Sequence, residues 1–400
     1  MEITDWVSGL PSDIGKTIFS KLLVSNLPAC RVVCKAWNEL ILDHASSASK
    51  FLTNDFILFT CDVLHPFPCP DNHTNPNMHC LRFDNLDLDL DLDLELEVNK
   101  SSSFEAGVVY KLINSCNGLL LIYKLPLCFP GEFLLRVGIF NPMTNEFFQV
   151  PHDEIVEYHY GFGFIPATKQ YKLFRVNFPL NVRPEEPNSV SHLDVLTFGR
   201  SEIIDPKQSQ WRRLYSLPGG VENHGAHVNG VIYWLGEGKE QNEYVVYTLD
   251  VETEKIQLSA VLEVVNPMWM SIQQFNGTVY AVFHMEEATQ VWRMQEKNSW
   301  IRDFVIDDCN LTLVKAYENG EMLCMVKPTV FWLYNPSTGS KKVLSLRNEK
   351  KIFLGICHLE LNFGSLLNIL AGDESVDEVL IKRNKAKRSR SKAKRSRSHG

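Results

Sequence analysis

The chain has 400 residues, of which 44% are hydrophobic, enough for a sizeable core. It contains no apolar run of about 18 residues, and its first ten residues carry two acids and no base, so neither a transmembrane helix nor a secretory signal is expected. The net charge is −8, but residues 382–400 are strongly basic and contain no acid. The remainder is acidic, so nucleic-acid binding is expected only at this tail.

Residues 10–44 are predicted to be helical. Ser12 is suited to cap a first helix and Asn26 a second. Apolar residues in both stretches recur at intervals of three and four, which places them on one face of each helix. A unit of this size buries little by itself, so it must dock onto the rest of the chain or onto a partner. The apolar positions are Ile14, Ile18, Leu22, Cys30, Val33, Cys34, Trp37, Leu40 and Ile41.

Two segments of unusual composition follow the helices. Residues 65–79 are rich in Pro, Asn and His and are predicted to be a loop. Residues 86–97 alternate Leu with Asp or Glu, a period of two that fits a strand with one acidic face and equally a charged surface loop. Cysteine and histidine cluster in this region without the spacing of a zinc finger, so no metal site is predicted. They are Cys61, His65, Cys69, His73, His79 and Cys80.

Four Asn-Gly dipeptides each precede an apolar run. This dipeptide favours the positive φ angles of a type I′ turn, so each one predicts a β-hairpin. The last three dipeptides lie about 45 residues apart, a spacing typical of propeller blades. The dipeptides are Asn117-Gly118, Asn229-Gly230, Asn276-Gly277 and Asn319-Gly320, and the predicted strands after them are Leu119–Tyr123, Val231–Leu235, Thr278–Phe283 and Glu321–Val326.

A second landmark is a strand that ends in a polar turn, at residues 139–144, 248–253 and 333–339. Together the landmarks define five units, one of which runs from Tyr160 to Trp211 without an Asn-Gly marker. Residues 51–110 and 352–361 are expected to supply a sixth unit and close the ring. An open sandwich with recurrent hairpins is the alternative. Most of the recurring tryptophans are predicted to pack between blades, namely Trp211, Trp234, Trp292, Trp300 and Trp332.

The sequence points to no catalytic site, cofactor or metal. It lacks a G-x-S-x-G elbow, a P-loop and a dinucleotide-binding glycine pattern. His224 and His227 have no third ligand or nucleophile nearby and are predicted to be loop residues at a blade edge. None of the ten cysteines forms a CxxC pair, so we expect them to be reduced, in a cytosolic or nuclear protein.

The C-terminal tail, residues 375–400, contains an exact seven-residue duplication, 385–391 and 392–398. Dense Lys, Arg and Ser cannot form a core, so the tail is predicted to be disordered. Basic clusters of this kind are candidates for nuclear localisation through an importin, and a solvated tail without a specific role is the alternative. The basic residues of the duplication are Lys385, Lys387, Arg388, Arg390, Lys392, Lys394, Arg395 and Arg397.

The N-terminal helical stretch resembles the F-box. The matching residues are Leu10-Pro11, Ile18-Phe19, Leu22 and Arg31 through Trp37. The resemblance implies three short helices that bind a Skp-type adaptor. Gly15, Leu23 and Pro28 depart from the family pattern and are expected to weaken that binding. The residues implied to face the adaptor or to form the core are Leu10, Pro11, Ile14, Ile18, Leu22, Val33 and Trp37.

The following region resembles the C-terminal F-box-associated, kelch-like domain of plant F-box proteins. The resemblance covers residues 8–360 and implies a mainly β chain. A three-helix F-box at 5–48 would precede a β-propeller-like domain of about six blades at 51–365 and the basic disordered tail. The matching landmarks are Ser115-Cys116-Asn117-Gly118, Asn141-Pro142, Tyr160-Gly161-Phe162-Gly163, Tyr171-Lys172-Leu173 and Val228-Asn229-Gly230.

This resemblance implies a non-enzymatic substrate-recognition subunit of an SCF-type cullin ubiquitin ligase. Such a subunit bridges the Skp-type adaptor, and through it a cullin, to a protein substrate. It would act in the nucleus, the cytoplasm or both, without membrane attachment. One alternative is a ligase-independent nuclear scaffold that uses the Arg-Ser tail. Another is a propeller enzyme, which would require clustered acids or histidines at one propeller face.

Overall fold

The computed structural model of the chain describes the two helical segments and most of the β-domain. The described residues are 12–20, 30–31, 33–47, 55–62, 76–82, 97–99, 108–126, 136–142, 144, 146–151, 158–177, 190–198, 211–218, 220–238, 240–275, 277–295, 299–308, 311–317, 319–327, 330–345 and 351–358. The basic tail lies outside these ranges.

Two α-helices, α1 (Ser12–Ser20) and α2 (Lys35–Ser47), form the N-terminal unit. Three helices were expected, and the prediction is corrected to two described helices. Residues 30 and 31 between them are also helical, and residues 21–29 lie outside the described residues. Neither described helix combines the length and apolar character needed to cross a bilayer.

The rest of the described chain consists of 24 strands in six four-stranded sheets. The first three strands are β1 (Asp55–Asp62), β2 (Pro76–Arg82) and β3 (Glu97–Asn99), and the last is β24 (Lys351–His358). Between them lie five sheets of four consecutive strands each, which we call blades 1 to 5. Blade 1 contains β4 (Val108–Cys116), β5 (Leu119–Pro126), β6 (Arg136–Asn141) and β7 (Glu146–Gln149); blade 2 contains β8 (Tyr158–Ile165), β9 (Gln170–Asn177), β10 (Val190–Phe198) and β11 (Arg212–Pro218); blade 3 contains β12 (Ala226–Val228), β13 (Val231–Glu237), β14 (Glu243–Asp250) and β15 (Ile256–Glu263); blade 4 contains β16 (Trp269–Phe275), β17 (Thr278–His284), β18 (Thr289–Met294) and β19 (Trp300–Ile306); and blade 5 contains β20 (Thr312–Ala316), β21 (Met322–Lys327), β22 (Val330–Asn335) and β23 (Ser340–Ser345).

Blades 1 to 5 are antiparallel meanders of consecutive strands, whereas the sixth sheet has the order β24-β1-β2-β3. In that sheet Phe56 pairs with His358 and Asp62 with Lys351, so the two ends of the β-domain are joined in one sheet. The prediction of about six blades is therefore corrected to five blades of consecutive strands plus this shared sheet. The predicted loop at 65–79 is wrong at its end, because residues 76–79 belong to β2. Of the alternating segment 86–97, only Glu97 is described.

The Asn-Gly dipeptides form the hairpins that the sequence predicted. Asn117 and Gly118 have φ angles of 46° and 77°, and Asn229 and Gly230 have 49° and 80°. Gly320 also has a positive φ, of 85°. Because only Gly and, to a lesser extent, Asn adopt this region without strain, the dipeptide fixes where each hairpin turns.

Hydrophobic side chains fill the spaces between neighbouring blades, as the propeller prediction requires. One buried cluster joins blades 1 and 2, and others join blades 2 and 3, 3 and 4, and 4 and 5. Trp234 is fully buried between blades 2 and 3, and Trp211 packs against the preceding cluster, so the predicted inter-blade role is confirmed for both.

The innermost strands of the blades begin at the same end of the domain. The amide of Gly225, just before β12, donates to the carbonyl of Tyr160 near the start of β8, at 2.7 Å. The side chain of Asn223 donates to the carbonyl of Met270 near the start of β16. We call this end the upper face. In each meander it also carries the turn between the second and third strands.

Candidate functional site

The helix pair has a small buried interior. Phe19 on α1 and Ile41 on α2 are buried, and the rings of Phe19 and Trp37 meet edge to face with centroids 5.3 Å apart. A Cβ atom on Gly15 would lie 3.1 Å from the Cδ1 atom of Leu40. Gly15, a departure from the family pattern, therefore allows the two helices to approach closely.

The buried face of α1 runs through Gly15 and Phe19, four residues apart, and not through Ile14 and Ile18 as the apolar spacing suggested. Ile14 is 48% exposed and Ile18 is half-buried. The sequence signal for Phe19 was its place in the Ile18-Phe19 pair that matches the F-box. Ile14 and Ile18 therefore lie toward the outer surface of the helix pair and not in its interior.

A turn before α2 holds Val33 outward. The amide of Val33 donates to the carbonyl of Cys30 at 3.2 Å, and the Arg31 guanidinium Nε donates to the side chain of Asn38 at 2.9 Å. The Val33 side chain is 60% exposed, whereas Trp37 is half-buried. Of the seven predicted adaptor-binding residues, Ile14, Ile18, Val33 and Trp37 are thus described, and Leu10, Pro11 and Leu22 lie outside the described residues.

A central channel is the second candidate site. It encloses a cavity of about 430 Å³ between the innermost strands β4, β12, β16 and β20. Its lining offers both hydrogen-bond donors and acceptors, and Lys111 is the one Lys, Arg, Asp or Glu among the lining residues that the structure describes. The polar lining includes Lys111, Asn114, His224, His227, Gln273 and Thr312.

Both histidines line this channel. His224 lies in the connection before β12, as the loop prediction had it, whereas the prediction is wrong for His227, which lies within β12. The Nδ1 atom of His224 accepts a hydrogen bond from the amide of Tyr160 at 3.1 Å. Burial, followed by repulsion from His159 when that ring is protonated and from Lys111, lowers the pKa of His224 to about 3. Burial also lowers the pKa of His227 and of His159 to about 4. All three side chains are therefore neutral near pH 7.

The described residues contain no group of three or more His, Cys, Asp or Glu side chains placed to hold a metal ion. The cysteine and histidine residues that cluster in the sequence are only partly described. Cys61 lies on β1, and His79 and Cys80 lie on β2, whereas His65, Cys69 and His73 lie outside the described residues. The basic residues predicted for nuclear localisation, from Lys385 to Arg397, also lie outside them.

One exposed tryptophan was missed by the sequence analysis. Trp269, the first residue of β16, is 43% exposed on the upper face. Its neighbours Met268 and Val265 are even more exposed. The available signal was the Asn266-Pro267 dipeptide before it, which indicates a turn and hence a surface position.

Comparison with known proteins gives a family for both parts of the chain. The model described as "F-box associated beta propeller domain" matches residues 84–339, and the one described as "F-box-like" matches residues 7–47. The chain is 24% identical to F-box protein At3g07870 of Arabidopsis thaliana, over 89% of this chain and 94% of that protein. It is 21% identical to F-box protein At3g57590 of the same plant, over 85% of each.

Among solved structures, a chain of a nidogen–laminin complex is similar, with a TM-score of 0.43 and 9% identity over 76% of this chain and 97% of that one. The family matches place an F-box-like segment before an F-box-associated propeller, which confirms the resemblance at that level. The narrower description of the propeller as kelch-like stays a prediction.

Proposed function

We propose, from the premise that this chain belongs to the F-box-associated β-propeller family, that it is the substrate-recognition subunit of an SCF-type cullin ubiquitin ligase. In this role the helix pair binds a Skp-type adaptor, and the propeller binds a protein substrate. The adaptor links the chain to a cullin and so to the ubiquitin-transfer machinery.

The observation that carries the proposal is the outward position of Ile14 and Val33. The interior of the helix pair is already occupied by Phe19, Trp37 and Ile41, so these two apolar side chains gain burial only from another surface. Burying an apolar side chain of this size contributes roughly 1.5–3 kcal/mol. A partner that covers both, together with the family's Leu10-Pro11 segment, would form a tight interface.

A subunit of this kind performs no bond-making step itself. It holds the substrate near a ubiquitin-charged enzyme and so replaces a bimolecular encounter by an intramolecular one. The rigid inter-blade core suits this role, because a stiff platform keeps substrate lysines within a limited range of positions. We propose that the chain does this in the nucleus, the cytoplasm or both, and that an importin binds the basic tail.

The experiment is a pulldown of the full chain with purified Skp-type adaptor, beside the Leu10→Ala/Pro11→Ala variant. A Val343→Ala variant, altered at an exposed apolar residue of blade 5, is the matched control. Binding by the wild type and the control, with loss in the double variant, supports the ligase role. Absence of binding by folded wild-type chain would refute it, and a ligase-independent scaffold would then be the leading function.

A further inference from the structure

Three exposed apolar side chains lie together on the upper face, between blades 3 and 4. Val265 is 64% exposed, Met268 is 69% exposed and Trp269 is 43% exposed. They lie within five consecutive positions, 265–269, which run from the connection after β15 to the first residue of β16. We call these three residues the apolar tip. Large apolar side chains grouped in this way on a protein surface usually mark a site of interaction.

The backbone under the apolar tip is firmly held. The amide of Val264 donates to the carbonyl of Asn242 at 2.9 Å, and the amide of Asn266 donates to the Asn242 side chain at 3.1 Å. The amide of Met268 donates to the carbonyl of His284 at 2.7 Å. The apolar tip is therefore presented by a fixed loop, which lowers the conformational entropy lost on binding.

The Trp269 ring is also fixed. It stacks on the buried imidazole of His284, with ring centroids 3.3 Å apart and planes at 10°. One face of the indole is thus occupied while the side chain stays partly open to solvent. Tryptophans held in this way are typical anchors of protein interfaces, and their open face attracts Arg and Lys.

Glutamates surround the apolar tip. The segments 237–243, 263–269 and 284–288 contain six Glu residues against one basic residue, Lys239. Glu243 and Glu263 are direct cross-strand partners, an unfavourable placement for like charges. None of the six carboxylates forms an ion pair within the described part of the chain. The six are Glu237, Glu240, Glu243, Glu263, Glu286 and Glu287.

The pKa of a seventh acid is raised in part by this negative charge. Burial, and then the negative charge of Glu237, raise the pKa of Glu222, which lies in the upper-face connection before β12. The opposite face of blade 3 differs, because Glu254 there is paired with both Lys172 and Arg212. Uncompensated negative charge is therefore concentrated around the apolar tip and is complementary to a basic partner.

We propose that the apolar tip and its glutamates receive the substrate, and that the substrate presents Lys or Arg next to an apolar side chain. The inference rests on the proposed function, since it names the substrate class of the same propeller. The apolar side chain covers Met268 and Val265, an Arg or Lys lies over the open face of Trp269, and flanking bases pair with Glu286 and Glu287.

The test is a selection from a random 12-residue peptide library displayed on phage, with the full chain immobilised. Selected peptides are then measured by fluorescence anisotropy against two site variants, Val265→Ser/Met268→Ser and Glu286→Lys/Glu287→Lys. The controls are Val343→Ser, an equally exposed apolar residue of blade 5, and Glu252→Lys, in the lower-face turn after β14. None of the four variants alters the helix pair.

We expect selected peptides that combine Lys or Arg with an apolar residue. Their affinity falls by at least about tenfold in both site variants, as for central interface residues, and changes by less than about twofold in both controls. It also weakens with added salt. Acidic peptides, peptides that bind the site variants as well as wild type, or no enrichment at all would each overturn the proposal.

Two further arms distinguish a substrate from the chain's own tail, and substrate binding from adaptor binding. Enrichment seen only on a chain that lacks residues 382–400 would identify the basic tail as the occupant and overturn the assignment to a substrate. Adaptor pulldown on the same preparation separates the two functions. Adaptor binding without peptide enrichment refutes the proposed substrate surface but not the ligase role. Peptide enrichment without adaptor binding refutes the ligase role, and the apolar tip is then a surface that binds basic peptides for another purpose.

Discussion

The Lys172 ammonium of blade 2 lies 2.8 Å from the Oε1 atom of Glu254 in blade 3, and both side chains are largely removed from solvent. Lys172 also donates to the carbonyls of Val251 at 2.9 Å and Glu252 at 3.1 Å. The second carboxylate oxygen of Glu254 accepts from Arg212 at 2.6 Å. Lys172 thus binds three groups of the turn between β14 and β15 in blade 3 and so links blades 2 and 3.

Replacing Lys172 by Met should destabilise the propeller by about 2–4 kcal/mol, because Glu254 and two carbonyls would lose a buried partner. Arg212→Met removes only the exposed partner and should cost less than about 1 kcal/mol. Both values come from urea unfolding followed by tryptophan fluorescence. Equal effects of the two variants would show that the buried lysine does not join the blades.

Gly161 gives a second point of close contact between blades 2 and 3. A Cβ atom there would lie 2.6 Å from Cζ2 of Trp234 and 2.8 Å from Cγ2 of Ile232, and both side chains are fully buried. Gly161→Ala should therefore destabilise the chain by about 1–3 kcal/mol through overpacking.

Trimming one of these neighbours tests the cause. In the double variant Gly161→Ala/Ile232→Ala, the added methyl occupies part of the space that isoleucine leaves. The combined loss in unfolding free energy should be smaller than the sum of the two single losses by about 1 kcal/mol. Strict additivity would mean that the alanine acts through the backbone and not through contact with the next blade.

Three buried histidines, two of which line the channel, make stability depend on pH. Burial lowers the pKa of His224 to about 3 and that of His159 and His227 to about 4, whereas unfolded histidine binds a proton near pH 6.5. Protonation therefore favours the unfolded chain. The stabilisation by neutral histidine is fully present above about pH 6.5 and is lost as the pH falls from there toward the folded pKa, at up to about 1.4 kcal/mol per pH unit for each residue.

The variant His224→Asn keeps an acceptor for the Tyr160 amide and removes the titrating ring. Its unfolding free energy should fall less steeply than that of wild type between about pH 6 and pH 4, by about one proton's slope. Ser271→Ala, a channel variant without a titrating group, should retain the wild-type slope. Parallel curves for His224→Asn and wild type would show that His224 is protonated as readily in the folded chain as in the unfolded one.

The blades were predictable because their signals are local. Asn117-Gly118 and Asn229-Gly230 impose positive φ angles, and the strands after them begin at Leu119 and Val231 as expected. The sixth sheet pairs residues 55–62 with residues 351–358, a contact that no short-range pattern specifies. Five units could therefore be recognised one by one, whereas the shared sheet could be expected only because residues 51–110 and 352–361 remained to close the ring.

The candidate sites were less predictable, since exposure depends on tertiary packing. Helical spacing placed Ile14 and Ile18 on one apolar face but could not say that α2 would cover Gly15 and Phe19 instead. The sequence could not place His224 and His227 at a channel, because only the assembled ring turns the innermost strands toward a common axis. Trp269 is the opposite case, because it is an aromatic residue, of a type usually buried, that tertiary packing leaves exposed.

Ile14 and Val33 allow adaptor binding to be separated from folding. Ile14→Glu and Val33→Glu place a charge on surfaces that are already 48% and 60% exposed, so stability of the free chain should change by less than about 1 kcal/mol. A buried, unpaired carboxylate at the interface should weaken adaptor affinity by at least about tenfold. Isothermal titration calorimetry measures that affinity, and Val343→Glu serves as the control. Unchanged affinity in both helix variants, with circular dichroism like that of wild type, would mean that the adaptor does not cover this surface and that the exposed pair has another use.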